Sequence, residues 1–404
     1  MLISLAWKNI WRNKKRSSII IAAITFGLWG GLFSSALMVG MTENMVENAI
    51  SRDISHIQIH KKDYDQDEDV RNYIPDGMAV LEKVRHAPWV EAAAGRTLIM
   101  GMAASPSSSF GIQISGLNPQ DSRNVTDIHT QIIEGSYFDS QRRNPIVIGR
   151  KLAERLNLKL HSKVVLSFQD LEGNIAYMAC RVVGIFKTNS SQFDEMNAYV
   201  LQSDLFRILE TDPIIHEIAL RSSQVKHIEQ LKEFLQKLLP DLQIETWIDL
   251  APELAYLSQN TNLYMYIFVG IILFALLFGI TNTMLMSVVD RIRELGVLIA
   301  IGMKKVRIFL MILLETILLS LTGGLFGTII GVLTIVYFGR VGIDLTFVST
   351  GLESWGMAAV LYPFLPAVMY VVLTIMILMA ANIAALIPAW KATHLVPSEA
   401  IRTY

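Results

Sequence analysis

Four long apolar segments constrain this chain more than any other feature of its sequence. Each is long enough to cross a bilayer as a helix, which takes about 20 residues. We predict membrane spans at residues 17–41, 263–289, 308–338 and 366–388. The third segment is longer than a bilayer requires, so we expect it to tilt, to kink near Gly323 and Gly324, or to extend beyond the lipid.

The composition agrees with a membrane protein. Of the 404 residues, 52% are hydrophobic and 18% are charged, whereas soluble domains carry about 25% charged residues. A cytosolic enzyme, a disordered chain and a small secreted scaffold are therefore disfavoured. The net charge of −1 gives no indication of nucleic-acid binding.

The Lys and Arg residues predict the orientation. Residues 1–16 hold five of them and no acid, and loop 290–307 holds five against two acids. Because basic loops stay in the cytoplasm, we place both segments there, together with the tail 389–404. Residues 42–262 and loop 339–365 then face outward. The first apolar run is too long for a signal-peptide core, so we expect an uncleaved first span.

Residues 1–16 also have the pattern of an interfacial helix. Their apolar side chains fall on one face and their basic side chains elsewhere, as suits the headgroup layer. The apolar set is Ile3, Trp7, Ile10 and Trp11. The segment is either a simple topology anchor or an element that couples to a partner.

The outward segment 42–262 predicts one large α+β domain or two small ones. It holds 22 Lys and Arg against 30 Asp and Glu, so it is mildly acidic. Alternation and turn residues predict a strand over 56–60, hairpins of 97–102 with 110–115 and of 163–168 with 177–186, a strand over 146–148, and helices over 150–156, 203–210 and 225–239. In the last helix we expect Leu231, Phe234, Leu235 and Leu238 to face inward. Residues 42–50 and 250–262 continue the neighbouring spans as a helical stalk.

This outward segment carries no recognisable catalytic motif: neither G-x-S-x-G nor H-E-x-x-H occurs. His56 and His60 lie four residues apart, which on a strand spans about 13 Å, so they cannot share a metal ion. Asp194 and Glu195 are expected in a solvated turn. Cys180, the single cysteine, excludes an internal disulfide and is expected to be a small buried residue.

Loop 290–307 is too apolar to be a free cytoplasmic loop. Gly296 and Gly302 bracket a short helix, and several of its side chains need a partner surface: Leu295, Leu298, Ile299 and Ile301. The loop is therefore predicted to be either a docking element or a re-entrant turn that skims the membrane.

The third span contains a carboxylate and a stripe of glycines. Glu315 lies about two turns inside it, where a charge indicates either a role in a cavity or snorkelling to the interface. Gly323, Gly327 and Gly331 recur every four residues, a spacing that allows close helix packing. The chain has no Walker A sequence, so it does not hydrolyse nucleotide by that route.

Several pieces in order match a known family. They are the basic segment 5–16, the stretch 290–303 with its Arg-Glu-Leu-Gly and Ala-Ile-Gly pieces, Glu315 followed by Gly323 and Gly324, the tail 388–402, and the outward pieces 116–119, 133–138, 147–153 and 182–186. With these the chain resembles FtsX-like permeases of the MacB/Lol type, the four-span subunits of type VII ABC transporters. The resemblance covers nearly the whole chain.

The resemblance implies a fold and a set of partners. The fold would be four transmembrane helices with a large α+β MacB-type periplasmic domain between the first and second. Two permease copies, or this chain and a paralogue, would pair with a dimer of separate ATPase subunits. ATP and Mg²⁺ would be bound by the ATPase and no cofactor by this chain. The location would be the bacterial inner membrane.

The resemblance also assigns residues. The contact with the ATPase would be made by Arg291, Arg293, Glu294, Leu295, Gly296, Ala300, Gly302 and Met303. Membrane packing or a cavity would involve Glu315, Gly323, Gly324, Gly327 and Gly331. ATP-driven closure would move the stalk and outer domain, a mechanism called mechanotransmission, while cargo is taken from the outer leaflet or periplasm.

Three alternatives are left open for the function within this family. Pieces 116–119 and 133–138 favour a lipoprotein-releasing permease. The others are efflux of peptides or small amphiphiles through an outer-membrane duct, and regulation of a cell-wall hydrolase. Residues 170–174 form a short turn where permeases that supply a periplasmic chaperone carry a longer hook. This chain is then either the partner without a hook in a heterodimer or a homodimer with another exit route.

Overall fold

The computed structural model describes residues 6–7, 9–10, 12, 14–64, 67–138, 143–354 and 356–394, without the side chains of Thr350 and Ser354. The chain divides into two compact units. The membrane unit consists of Met1–Thr42, Gln259–Asp344 and Val360–Tyr404, and the ectodomain consists of Glu43–Ser258 and Leu345–Ala359. Of the predicted interfacial helix 1–16, residues 6–7, 9–10, 12 and 14–16 are helical, and residues 1–5, 8, 11 and 13 lie outside the described part.

The helices are, in chain order, α1 Lys14–Ala49, α2 Gly77–Arg85, α3 Pro119–Val125, α4 Arg150–Arg155, α5 Ser191–Met196, α6 Gln202–Leu209, α7 Ile228–Leu238, α8 Trp247–Leu250, α9 Pro252–Asp290, α10 Ile292–Ala300, α11 Lys305–Val341, α12 Ser349–Ser354, α13 Ala367–Ala384 and α14 Leu386–Thr393. The strands are β1 Ile57–Lys61, β2 Val90–Ala104, β3 Ser109–Leu117, β4 Ile132–Gly135, β5 Pro145–Gly149, β6 Lys163–Gln169, β7 Ile175–Phe186, β8 Asn197–Leu201, β9 Glu217–Ser222, β10 Leu242–Thr246, β11 Ile343–Asp344 and β12 Val360–Leu361. A π-helical segment, Ile50–Ile54, continues α1, and short 3₁₀ turns occupy Ile128–Thr130, Val225–His227 and Thr346–Val348.

Four helices of the described residues are long and apolar enough to cross a membrane: α1, α9, α11 and α13 with α14. They coincide with the four segments that were predicted as spans. α11 is one uninterrupted helix of 37 residues through Gly323 and Gly324. At 1.5 Å per residue it is about 55 Å long, so it extends beyond an apolar layer of about 30 Å.

The ectodomain is built on a ten-stranded mixed sheet. The strand order is β10-β1-β9-β2-β3-β8-β5-β7-β4, and β6 pairs with both β2 and β7. The long strand β2 joins the two halves, because its first part pairs with β9 and its last part with β6. α2 and α7 cover one apolar core, and α4 and α6 contribute to the other. The α+β prediction is confirmed.

Both predicted hairpins are present. β2 pairs with β3 from Arg96↔Leu117 to Ala104↔Ser109, and β6 pairs with β7 up to Gln169↔Ile175. One inward face was predicted wrongly. Leu231 and Leu235 of α7 are buried, but Phe234 and Leu238 are 39% and 42% exposed. The reason is that the buried side of this helix is the single stripe formed by Ile228, Leu231 and Leu235.

The short segment Leu345–Ala359 folds with the ectodomain, although it follows the third membrane helix in sequence. Glu353 forms an ion pair with Lys187, with 2.8 Å between Oε1 and Nζ. The hydroxyl of Ser191 also donates to Glu353 Oε2 at 3.4 Å. The ectodomain is therefore assembled from two segments separated by two membrane helices.

Candidate functional site

The short helix α10 has two different faces. Leu295 is 2% exposed and packs in the apolar core of the membrane unit, where Leu298 and Ile299 lie against the same core. On the opposite side, Val297 is 45% exposed and Ile301, just after the helix, is 79% exposed. α10 is therefore held on one side and leaves an apolar surface uncovered on the other.

A buried carboxylate holds the start of α10. Glu315 of α11 is 6% exposed and accepts hydrogen bonds from Arg291 Nη1 to both of its oxygens, each at 3.1 Å. Asn9 Nδ2 donates to Glu315 Oε1 at 2.7 Å. The charge of Glu315 is thus neutralised within the membrane unit. This pairing accounts for a carboxylate in an apolar span, where an unpaired charge is costly.

Two further ion pairs join the N-terminal segment to the region of α10. Arg12 binds Glu294, and Arg16 binds Asp290 at the end of α9. A polar cavity of about 380 Å³ lies among these side chains. Its lining includes Arg12, Arg16, Asp290, Arg291, Glu294 and Glu315. Three cations and three carboxylates balance there, and the role of the cavity in transport stays a prediction.

The glycine stripe of α11 lies against two other helices. A Cβ on Gly327 would lie 2.9 Å from both Thr25 O and Leu28 Cβ of α1. Gly323 and Gly331 face the same helix, whereas Gly324 faces Leu378 of α13. Thr25 also donates to the carbonyl of Gly323 at 3.1 Å. The absence of side chains lets the backbones approach, which is the function of this spacing in membrane helices.

The residues predicted to contact a partner fall into two groups. Arg293, Glu294, Ala300 and Gly302 are exposed, whereas Leu295 and Gly296 are buried and Met303 packs on the core of the membrane unit. Their roles stay predictions. Val297 was not among the residues predicted to contact the ATPase. Ile301 was predicted only as an apolar side chain that needs a partner surface. The four-residue spacing of positions 293, 297 and 301 indicates this exposed face.

Two ectodomain predictions can be judged directly. Cys180 is 2% exposed, as expected, and burial raises the pKa of its thiol to about 12. Asp194 was expected in a solvated turn, and this is wrong: it is 2% exposed within α5. Burial raises the pKa of Asp194 to about 6, although the backbone N–H and hydroxyl of Thr188 donate to it. Asp194 is buried because its carboxylate accepts the hydrogen bonds of Thr188, which lies shortly before α5 in the chain.

His56 and His60 have separate surroundings. His56 Nδ1 accepts from the backbone N–H of Ser222 at 3.2 Å. His60 lies 3.3 Å from Glu217 Oε2 through Nε2 and 3.7 Å from Glu245 Oε2 through Nδ1. In the part of the chain that the structure describes, no group of three His, Cys, Asp or Glu residues could hold a metal ion.

Two family models match the chain. The model described as FtsX-like permease C-terminal matches residues 266–397, which include α10 and α11. The model described as MacB-like periplasmic core domain matches residues 17–238, more than half of the chain.

The relatives carry different names. A Bacillus subtilis ABC transporter permease, YvrN, is 26% identical over 67% of this chain and 69% of its own length. The lipoprotein-releasing system transmembrane protein LolC of Xylella fastidiosa is 24% identical over 78% of this chain and 77% of its own length. The pyoverdine export ATP-binding/permease protein PvdT of Pseudomonas savastanoi is 27% identical over 58% of this chain, but only 38% of PvdT is covered.

Proposed function

Because the chain belongs to the FtsX-like permeases with a MacB-like periplasmic core domain, we propose that it is driven by a separate ATPase dimer. This dimer binds the exposed face of α10. The chain is an ABC transporter permease of the MacB, LolC and FtsX type. ATP and Mg²⁺ would be held by the ATPase. In this proposal the N-terminus, α10 and the C-terminal tail lie in the cytoplasm of a bacterial inner membrane.

The exposed apolar face of α10 carries this proposal. Val297 and Ile301 are exposed next to the charged residues Arg293 and Glu294. An apolar centre with a charged rim is typical of a protein interface. The opposite face is fixed by Leu295 and by the Arg291–Glu315 ion pair. A push on α10 would therefore move α11 with it, as mechanotransmission requires.

For the cargo we propose lipid-anchored proteins taken from the outer leaflet of the membrane. The similarity to LolC supports this choice, because it extends over 78% of this chain. The similarity to PvdT favours the alternative of small-molecule efflux. The permease would act as a pair, either two copies of this chain or this chain with a paralogue, with a periplasmic or outer-membrane component receiving the cargo.

The ATPase contact is tested by a pull-down of the tagged full-length chain in mild detergent, followed by mass spectrometry of proteins and lipids. The Val297→Glu/Ile301→Glu variant should lose an ATPase that the wild type retains, because two charges enter the apolar centre of the contact. Val225→Glu, an exposed apolar residue of the ectodomain, serves as the control and should retain it.

The co-purified material separates the cargo alternatives. Acylated proteins together with an ATPase support lipoprotein export, whereas a membrane-fusion protein with an ATPase supports efflux. If the wild-type chain brings down no ATPase, the proposed function is wrong. Retention of the ATPase by the double variant would instead reject α10 as its binding surface.

A further inference from the structure

A row of charged side chains crosses the ectodomain sheet in its interior. His60 of β1 stands directly opposite Glu217 of β9, and Glu217 stands directly opposite Arg96 of β2. Their exposed fractions are only 3%, 5% and 5%. Glu245 of the next strand, β10, faces the other nitrogen of His60. Carboxylates therefore alternate with basic side chains across four neighbouring strands.

The row ends at the membrane helix that leads into the domain. Arg96 Nη1 lies 2.6 Å from Glu217 Oε1, 2.9 Å from the backbone oxygen of Asp53 and 3.1 Å from its Oδ1. Asp53 belongs to the π-helical segment Ile50–Ile54, which continues α1 without a break. In addition to the chain itself, which enters β1 at Ile57, the Arg96 guanidinium thus joins the end of the first membrane helix to β2 in the middle of the sheet.

Stability alone does not explain this arrangement. A buried ion pair is often no more stabilising than apolar side chains of the same volume, because removing charges from water is costly. The charges are nevertheless well paired. The pKa of Glu217 is lowered, since Arg96 and His60 outweigh the effect of burial, so the carboxylate stays ionised. What short charged hydrogen bonds add over apolar contacts is a fixed geometry.

We infer that Arg96 is a positioning residue that transfers displacement of the first membrane helix into the ectodomain sheet. Apolar contacts let two elements slide, whereas Arg96 fixes Asp53 relative to β2 and β9. When the end of α1 moves, β1 follows along the chain from Ile57, and Arg96 carries the movement directly to β2. This inference rests on the proposed function, because an ATPase must drive the movement.

The test removes the charges as a pair. Arg96→Met alone would leave Glu217 buried without its cation and is expected to destabilise the domain strongly. Arg96→Met/Glu217→Met removes both charges, while the side chain of Asp53 is 35% exposed to solvent and His60 keeps Glu245. The matched control is Arg85→Met/Asp121→Met, which removes another ion pair of the same domain, of 2.8 Å, that does not touch the end of α1.

Hydrogen exchange of the full-length chain, purified with its ATPase, is measured with and without ATP and vanadate. In the wild type and the control pair, nucleotide trapping should change exchange in α10 and in β2. In the Arg96→Met/Glu217→Met variant the change in α10 should persist, and the change in β2 should be lost. If β2 responds as in the wild type, the inference is wrong.

Failure of the proposed function and failure of the role of Arg96 give different results. An unchanged α10 in the wild type would reject the proposed function and not the role of Arg96. If the paired variant does not fold, Arg96→Lys carries the same test, because it keeps the charge but replaces the rigid guanidinium, whose Nη1 contacts both Asp53 and Glu217, by an ammonium on a flexible stem. A wild-type response of β2 in Arg96→Lys would then overturn the inference.

Discussion

Replacing Glu315 by Gln tests whether the buried ion pair holds α10 in place. The change keeps the shape of the side chain and an oxygen that accepts from Asn9, but it removes the charge that Arg291 binds twice at 3.1 Å. Of the two carboxylates that Arg291 binds among the described residues, Glu294 then remains, at 3.4 Å. We expect α10 to lose about 2 kcal/mol of local stability, the usual range for hydrogen bonds to a charged group.

The expected loss is large enough to measure by hydrogen exchange. About 2 kcal/mol corresponds to a roughly 30-fold change in an equilibrium, so amides of α10 that exchange by local opening should exchange about 30 times faster. The measurement uses the full chain in lipid nanodiscs and peptides covering residues 291–303. Arg307→Gln, which alters the charge of the same loop outside the ion pair, should leave exchange nearly unchanged.

A double variant distinguishes the loss of the Arg291–Glu315 hydrogen bonds from the cost of leaving Arg291 without its counter-ion. In Arg291→Gln/Glu315→Gln neither partner is left as an uncompensated buried ion, so exchange in α10 should lie between the wild type and Glu315→Gln. An unchanged exchange rate in Glu315→Gln would refute the reasoning, since it would mean that apolar packing of Leu295 alone fixes α10.

Three further predictions follow from the packing and the buried charges. Gly327→Ala should destabilise the membrane unit by about 1–3 kcal/mol and Gly331→Ala by less, because Gly327 meets backbone and Cβ atoms whereas Gly331 meets the flexible end of Leu32; thermal unfolding in nanodiscs compares the two. The pKa of Asp194 rises from 3.8 to about 6 on folding, so the folded ectodomain binds this proton more tightly and its stability should fall by on the order of 1–3 kcal/mol as pH rises from about 4 to 6, a dependence that Asp194→Asn should abolish in unfolding curves. Gly296→Lys should abolish export with normal membrane insertion, because a long charged side chain enters the buried side of α10; normal export would contradict this.

Local patterns in the sequence predicted the parts of the fold that depend on local contacts. Apolar length alone predicts the four membrane helices, and alternation with a turn between predicts the hairpins β2–β3 and β6–β7. β8 was missed because it is short, is nearly all buried and pairs in parallel with β3, far away in sequence. A fully buried strand has no alternation to detect.

For the candidate site, too, the sequence predicted some features and not others. The apolar character of loop 290–307 and the spacing of the glycines are visible in the sequence, and so is Glu315 as an unusual membrane carboxylate. Its partner Arg291 and the row through Arg96 are not visible. Glu217 lies 121 residues from Arg96 and 157 from His60, and only the register of β1, β9 and β2 brings them together.

The two-segment construction of the ectodomain has a consequence for its biogenesis. Leu345–Ala359 supplies Glu353 to Lys187 and Ser191, yet it is synthesised after α9 and α11. At a synthesis rate of about 5–20 residues per second, the ribosome needs on the order of 10 s to pass from the end of the first segment to the second. Completion of the outer domain therefore waits for the third helix to be threaded through the membrane. A chain that inserts this membrane helix wrongly would leave Lys187 and Ser191 of the ectodomain without their contacts to Glu353.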